Sequence, residues 1–281
     1  MILEIKAYGK INWTLKALGR FPEGHANAGF TKIESLVFKI NLHDIVRLTV
    51  IEGGTAKTKI RVSDPKIPQD GSDPHKNSAY RAAELFRKFF LAASADDFVI
   101  EIEKHLPIAG GLGGSSTDAA AVLNLLFDYY APEAELKKRI ELAAAIGSDV
   151  PLFVASYSAC LIEGRGEIVT AYQQPLPEHD LVLVFPGKLL ESSDVYAGLS
   201  QFSVRQNDLE GSRYIREHFP ELEKIKDALV RAGCIGARMS GSGSTVFGYT
   251  SKGSGKQVCQ KASSQLPEYV VITSSFLETE N

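Results

Sequence analysis

The sequence predicts an α+β protein in two parts, and three observations predict it. Stretches in which apolar and polar residues alternate recur along the chain, with the period of half-buried strands. Between them lie stretches whose apolar residues recur every three or four positions, the period of amphipathic helices. Past Leu152 the order changes and helices interleave with strands, so a second α+β layer begins between Leu152 and Asp180. We place the domains at 1–155 and 156–281. A chain of 281 residues has the length for two ordinary domains or one large one, with a substantial core.

Taken in order, residues 3–16 read as one or two strands broken near Gly9. Within them stands Tyr8-Gly9-Lys10-Ile11-Asn12. A lysine beside a glycine at a strand break reaches into a cleft, and Asn12, two residues on, points to the same face. Against this, a lysine on a strand is ordinarily solvated. Residues 20–29 form a polar loop containing glycine, and 31–41 and 45–51 read as two strands around a turn at 41–44. A short strand at 59–62 sits in a connection rich in proline and aspartate. Residues 77–91 have helical spacing, with Ser78 as cap and Phe86 and Phe89 in the core. A strand at 100–105 leads through a glycine loop into a helix at 116–130, and a further helix at 132–146 ends at Gly147. In the second part we read strands at 157–163, 181–185, 245–249 and 269–274, and helices at 192–199 and 219–232. Residues 164–167 form a tight turn, and 207–210 are polar and compact.

Apolar residues make up 44% and charged residues 23% of the chain, the mixture of a soluble globular protein. A net charge of −3 gives no ground for a nucleic-acid or anionic-membrane partner. Cys160, Cys234 and Cys259 lie far apart with no CxxC pair, which argues against a zinc site or disulfide framework and suits a reducing cytoplasm. The first residues alternate like a strand and lack the charged start and apolar core of a signal peptide. No apolar run approaches the length of a membrane span.

The chemistry concentrates in 107–121, Pro-Ile-Ala-Gly-Gly-Leu-Gly-Gly-Ser-Ser-Thr-Asp-Ala-Ala-Ala. Glycines allow close approach and positive φ, and Ser, Thr and Asp start helices. A glycine loop opening a helix gathers amide N–H groups and the positive end of the helix dipole, an arrangement that binds phosphate. The stretch lacks the Gly-Lys-Ser/Thr of a P-loop and the GxGxxG of dinucleotide folds, so phosphate chemistry recruits a lysine from elsewhere. Asp149 follows a helix-ending glycine and precedes an apolar run. It reads equally as a part-buried carboxylate paired with Lys10 and as the cap of the next helical turn. A second glycine–serine loop, 237–244, precedes a strand and lies against a ligand or against the first loop.

Three motifs in one order, Gly9-Lys10-Ile11-Asn12, the 107–121 loop and 238–246, together resemble the GHMP kinase superfamily. Its central pattern Pro-x-x-x-Gly-Leu-Gly-x-Ser-Ser is met by Pro107, Gly111, Leu112, Gly113, Ser115 and Ser116. The closer likeness is to the branch that phosphorylates a cytidylylated methylerythritol on the non-mevalonate route to isoprenoids. That likeness rests on Lys10-Ile11-Asn12, Gly147-x-Asp149-Val150-Pro151-x-Phe153, Gly164-Arg165-Gly166-Glu167, Asn207-Asp208-Leu209-Glu210 and Met239-Ser240-Gly241-Ser242-Gly243.

The resemblance implies a two-domain α+β fold, an N-terminal ATP-binding domain like ribosomal protein S5 domain 2 and a ferredoxin-like C-terminal domain, with the site in the cleft between them. It implies a small-molecule substrate, ATP with Mg²⁺, no nucleic acid or membrane, and a monomer or weak homodimer. Metal ligands are left unassigned. By the same resemblance Lys10 and Asp149 flank the reacting hydroxyl, the aspartate as base and the lysine facing the charge that moves with the γ-phosphoryl. Pro107, Gly110, Gly111, Leu112, Gly113, Gly114, Ser115, Ser116 and Thr117 correspond to the ATP-holding stretch, and Asn12, Phe30, Thr31 and Asp149 to the acceptor site.

The chain departs from the family pattern in three places. The Gly-Tyr-His whose rings hold the cytosine corresponds to Gly29-Phe30-Thr31, with His25 just upstream. Phe30 keeps a stacking face, whereas Thr31 lacks a histidine's ring. Gly113-Gly114-Ser115 stands where a third glycine is frequent, and Tyr8-Gly9 replaces Pro-Ala. Two other readings use the same residues: a kinase for another small alcohol, such as homoserine or mevalonate, and a nucleotide sensor without turnover.

Overall fold

The computed structural model describes residues 1–202 and 204–278. The chain divides into two compact units, each assembled from separate segments.

The first unit comprises Met1–Gly9, His43–Leu106 and Gly113–Ser156. Its sheet holds residues 2–9 of β1 (Ile2–Asn12), residues 43–51 of β3 (Thr31–Ile51), β4 (Thr58–Val62) and β5 (Asp97–Glu103). β3 and β5 run antiparallel, with Ile45 opposite Glu103 and Ile51 opposite Asp97. β4 and β5 run parallel, Thr58 opposite Phe98, so they need a crossover, which α1 (Ser78–Phe90) provides. The alternation seen in the sequence buries Val46, Leu48 and Val50 on β3 and Phe98, Ile100 and Ile102 on β5. α2 (Gly114–Tyr130), α3 (Leu136–Ala144) and α4 (Val150–Val154) complete the unit. Phe86 of α1 meets Phe127 of α2 edge to face at 5.0 Å.

The second unit comprises Lys10–Leu42, Pro107–Leu112 and Tyr157–Asn281. β2 (Lys16–Arg20) pairs with residues 31–34 of β3, and β6 (Ala159–Gly164) pairs antiparallel with residues 33–38. β7 (Ile168–Ala171) returns along β6 after the tight turn read in the sequence. A four-stranded antiparallel sheet follows in the order β11 (Val270–Ser275), β8 (His179–Phe185), β10 (Val246–Ser251), β9 (Gly236–Met239). α5 (Ser192–Ala197), α6 (Arg213–His218), α7 (Leu222–Ala232) and α8 (Gly255–Gln265) accompany it. Val182, Val184, Ile225, Leu229, Met239 and Val246 share one core with Leu15 and Ala17.

Several sequence expectations change in detail. The turn expected at 41–44 is absent, and β3 runs through it as one strand. Asp44, within that stretch, is fully buried and bonded to Lys104 and to main-chain amides, and those tertiary partners hold it in the strand. β1 continues through Gly9 and ends at Asn12. The cap of α1 is Asn77, which accepts the Ala79 amide at 2.8 Å, and not Ser78. Phe86 is in the core, but Phe89 faces solvent. α2 begins two residues earlier than its Ser and Thr suggested, because Gly113 takes the cap position in the left-handed conformation (φ 74°), without a side-chain bond. α6, α8, β7 and β9 lie beyond the elements read from the sequence. α8 is polar overall, and its apolar spine is only Val258, Ala262 and Leu266, at four-residue spacing running just past its end.

Candidate active site

The core of the site within the second unit is the end of β1. Period-two geometry puts Lys10 and Asn12 on one face, and there the Lys10 Nζ donates to Asn12 Oδ1 at 2.6 Å. The lysine is not solvated but 4% exposed, and it also donates to the Gly111 carbonyl at 3.0 Å. Asn12 is held in turn, its Nδ2 donating to Ser35 Oγ at 2.8 Å. The Lys10 amide donates to the Leu112 carbonyl at 3.0 Å, so main chain and side chain both tie this strand to the first glycine loop.

The second glycine–serine loop lies against the first. Ser240 Oγ donates to the Gly111 carbonyl at 3.0 Å and accepts the Asn12 amide at 3.4 Å, while the Thr245 amide donates to the Gly110 carbonyl at 3.1 Å. A Cβ on Gly111 would come within 2.1 Å of the Ser240 carbonyl oxygen, and φ there is 72°, so the contact between loops demands glycine. Pro107 is half-buried, while Gly110 and the Leu112 side chain are buried.

In the first unit Gly113 and Gly114 open α2, with Ser115 exposed, Ser116 half-buried and Thr117 buried. The Thr117 amide donates to the Gly113 carbonyl at 2.8 Å. Three charged residues that sequence reasoning missed gather here. Lys104 Nζ donates to the Asp44 carboxylate and to Asp118 Oδ2 at 2.7 Å, and all three are buried. Asp44 Oδ1 also accepts the Leu106 amide at 2.7 Å. One ammonium serves two carboxylates. Burial alone lowers the Lys104 pKa, but Asp118 and Asp44 outweigh it and hold the ammonium above its ordinary value. Burial, with the charge of Asp44 behind it, pushes the Asp118 carboxyl up to about 7 against the pull of Lys104. Asp118 Oδ1 is buried and makes no hydrogen bond among the described residues. The signal available in the sequence was a lysine and two aspartates set among buried neighbours.

Asp149, half-buried, immediately precedes α4, and its side chain makes no capping hydrogen bond to that helix. The capping role weighed from the sequence is therefore absent from this structure.

The loop expected near the acceptor belongs to the second unit. Phe30 is 48% exposed and Thr31 is buried. The Arg165 guanidinium stands 5.2 Å from the Phe30 ring centroid, and Asn27 Nδ2 donates to Glu167 Oε1 at 3.0 Å. These two contacts link the 20–29 loop and Phe30 to the turn at 164–167. His25 stacks on Phe21 at 4.6 Å, and its Nδ1 accepts the Asn27 amide.

With a buried lysine bonded to an asparagine and to a glycine-loop carbonyl on the page, comparison with known proteins gives the family. The family models "GHMP kinases N terminal domain" and "GHMP kinases C terminal" match residues 77–157 and 191–268. The chain belongs to the GHMP kinase family and with it to the ATP-dependent small-molecule kinases, with that family's two-domain mixed α/β fold. Among curated relatives, the 4-diphosphocytidyl-2-C-methyl-D-erythritol kinase of Clostridium kluyveri is 34% identical, covering 91% of this chain and 93% of the relative. The enzyme of the same name from Syntrophomonas wolfei is 33% identical, covering 87% and 88%. A crystal structure of 4-(cytidine 5'-diphospho)-2C-methyl-D-erythritol kinase superposes with a TM-score of 0.73 at 27% identity, covering 97% of this chain and 99% of that one. Homoserine kinase from Cytophaga hutchinsonii shares the fold, with a TM-score of 0.67 at 17% identity.

Proposed function

We propose that this chain transfers the γ-phosphoryl of ATP to the 2-hydroxyl of 4-diphosphocytidyl-2-C-methyl-D-erythritol, in isoprenoid precursor biosynthesis in the cytoplasm. The observation that carries the reading is the Lys10 ammonium, buried and bonded to Asn12 and to Gly111 of the first loop. The names of the relatives point to the acceptor.

In this reading Asp149 accepts the proton of the acceptor hydroxyl as its oxygen attacks the γ-phosphorus and the bond to the β–γ bridging oxygen breaks. Lys10 stabilises the negative charge carried by the moving phosphoryl, and Asn12 fixes the direction of the ammonium. Main-chain amides from Gly110 to Thr117, with Pro107 shaping the entry, hold the phosphates at the start of α2. Phe30 and Thr31 line the acceptor side, Phe30 as a stacking surface for the pyrimidine. Residues 1–155 form the ATP-binding domain in this scheme and 156–281 the C-terminal domain. Among the described residues no group of three or more His, Cys, Asp or Glu is placed to cage a metal. Mg²⁺ bound with the nucleotide would neutralise the charge of its phosphates.

The test is purified protein with ATP, Mg²⁺ and the cytidylylated alcohol, followed by phosphorus NMR of the product and a coupled ADP assay. We expect one phosphomonoester per ADP released. Homoserine and mevalonate run in parallel, and turnover on either without turnover on the cytidylylated alcohol refutes the acceptor. ATP binding by calorimetry with no turnover on any alcohol refutes the kinase reading.

A further inference from the structure

We propose that Asn207 is a positioning residue for Lys10, an inference that rests on the part given to that lysine above. Asn207 is 1% exposed and uses both ends of its amide. Nδ2 donates to the carbonyls of Met239 and Gly241, each at 2.9 Å, and Oδ1 accepts the Leu209 amide at 3.0 Å. Its main-chain neighbours clasp the continuation of the lysine's strand. The Leu15 amide donates to the Gln206 carbonyl at 2.7 Å, and the Asp208 amide donates to the Leu15 carbonyl at 2.9 Å. Asp208 Oδ2 accepts the Ala17 amide and Glu210 Oε1 the Met239 amide, both at 2.8 Å. One segment, residues 206–210, therefore holds two stretches together, residues 15–17 and residues 239–241.

The second of those stretches reaches the lysine. A Cβ placed on Gly241 would stand 3.3 Å from Lys10 Nζ and 3.0 Å from Asn12 Oδ1, so the Gly241 main chain is the wall against which both side chains rest. Ser240, between the two carbonyls that Asn207 holds, donates to the same Gly111 carbonyl that receives the lysine. Asn207 thus sets the wall, and the wall sets the amine. The side chain must give two N–H donors and take one, all out of water, which an amide does and a carboxylate or aliphatic chain does not. Asn207→Asp keeps the shape but turns a carboxylate oxygen toward two carbonyl oxygens.

The test is a double-mutant cycle of Asn207→Asp with Lys10→Ala, read as kcat and KM well below the unfolding temperature and at high enzyme concentration. Displacement of a reacting group by about 1 Å is worth up to ~100-fold, so we expect kcat to fall ~10–100-fold with KM for ATP and acceptor within about threefold. In the Lys10→Ala background the same substitution should cost less than about threefold, since its target is gone. A purely structural asparagine would cost the same in both backgrounds, and that result, or a kcat within about twofold of the parent, overturns the proposal. If Asn207→Asp does not fold, Asn207→Ser carries the cycle, with the same outcomes deciding. Wild-type protein without turnover refutes the parent reading, whereas an active wild type with an additive cycle refutes only the role of Asn207.

Discussion

Lys10 and Lys104 both have buried side chains, one in each unit, and the bonds described for them go to different kinds of oxygen. Lys104 sits between two carboxylates, while the hydrogen bonds described for Lys10 go to an amide oxygen and a main-chain carbonyl. Two carboxylates cancel the charge of Lys104 and make that lysine part of the scaffold. The difference teaches that burial of a charged side chain does not by itself mark a reacting group. The acceptor chemistry around it decides. Lys104 is also near the loop, since a Cβ on Gly114 would stand 3.4 Å from its Nζ, so nearness to the loop does not separate the two.

The largest expected effect breaks or upholds this contrast directly. Lys10→Met should lower kcat by roughly 10³-fold, the scale for losing one preorganised charge-stabilising donor. We expect that loss at temperatures and urea concentrations where the variant is still folded, which a denaturation curve run alongside the assay checks. A variant that turns over normally, or that unfolds before it loses activity, would place Lys10 with the scaffold. Lys104→Met should do the reverse. It leaves Asp44 and Asp118 buried without their cation, and breaking such a cluster costs about 3–5 kcal/mol. Urea unfolding measures it. A loss under about 1 kcal/mol, with kcat collapsing, would make Lys104 the reacting lysine and invert the assignment.

How much of this was legible in the sequence follows from where each partner lies along the chain. The two-residue spacing of Lys10 and Asn12 needs only strand geometry, and their shared face was visible. The loop feeding α2 was visible because glycines and helix starters are local signals. Contact between the two glycine loops was one of the alternatives, beside a ligand contact and a plain turn, and Gly111 against Ser240 bears it out. The cluster of Asp44, Lys104 and Asp118 was hidden, since its members come from β3, the segment after β5, and α2, with no shared period. For the same reason residues 41–44 read as a turn. The Asn207–Glu210 segment was noticed for its composition, but its partners at 15–17 and 239–241 are set by tertiary pairing alone.

The smallest expected effect sharpens the contrast by titration. If two carboxylates compete for Lys104, one of them carries a proton into the neutral range, and burial with the charge of Asp44 assigns that proton to Asp118, at about 7 against 3.8 for an ordinary aspartate. Between those values the folded chain binds a proton that the unfolded chain has released. Stability from this group is thus complete below about 3.8 and drains away as pH rises through about 7. The slope reaches at most about 1.4 kcal/mol per pH unit. Asp118→Asn removes the titration but keeps an acceptor oxygen for Lys104. Urea unfolding from pH 5 to pH 7.5 (values chosen to span about one pKa) should therefore show a decline in the parent that Asp118→Asn lacks, while Lys10→Met retains it. Parallel curves for the parent and Asp118→Asn would mean that Lys104 satisfies both carboxylates at once.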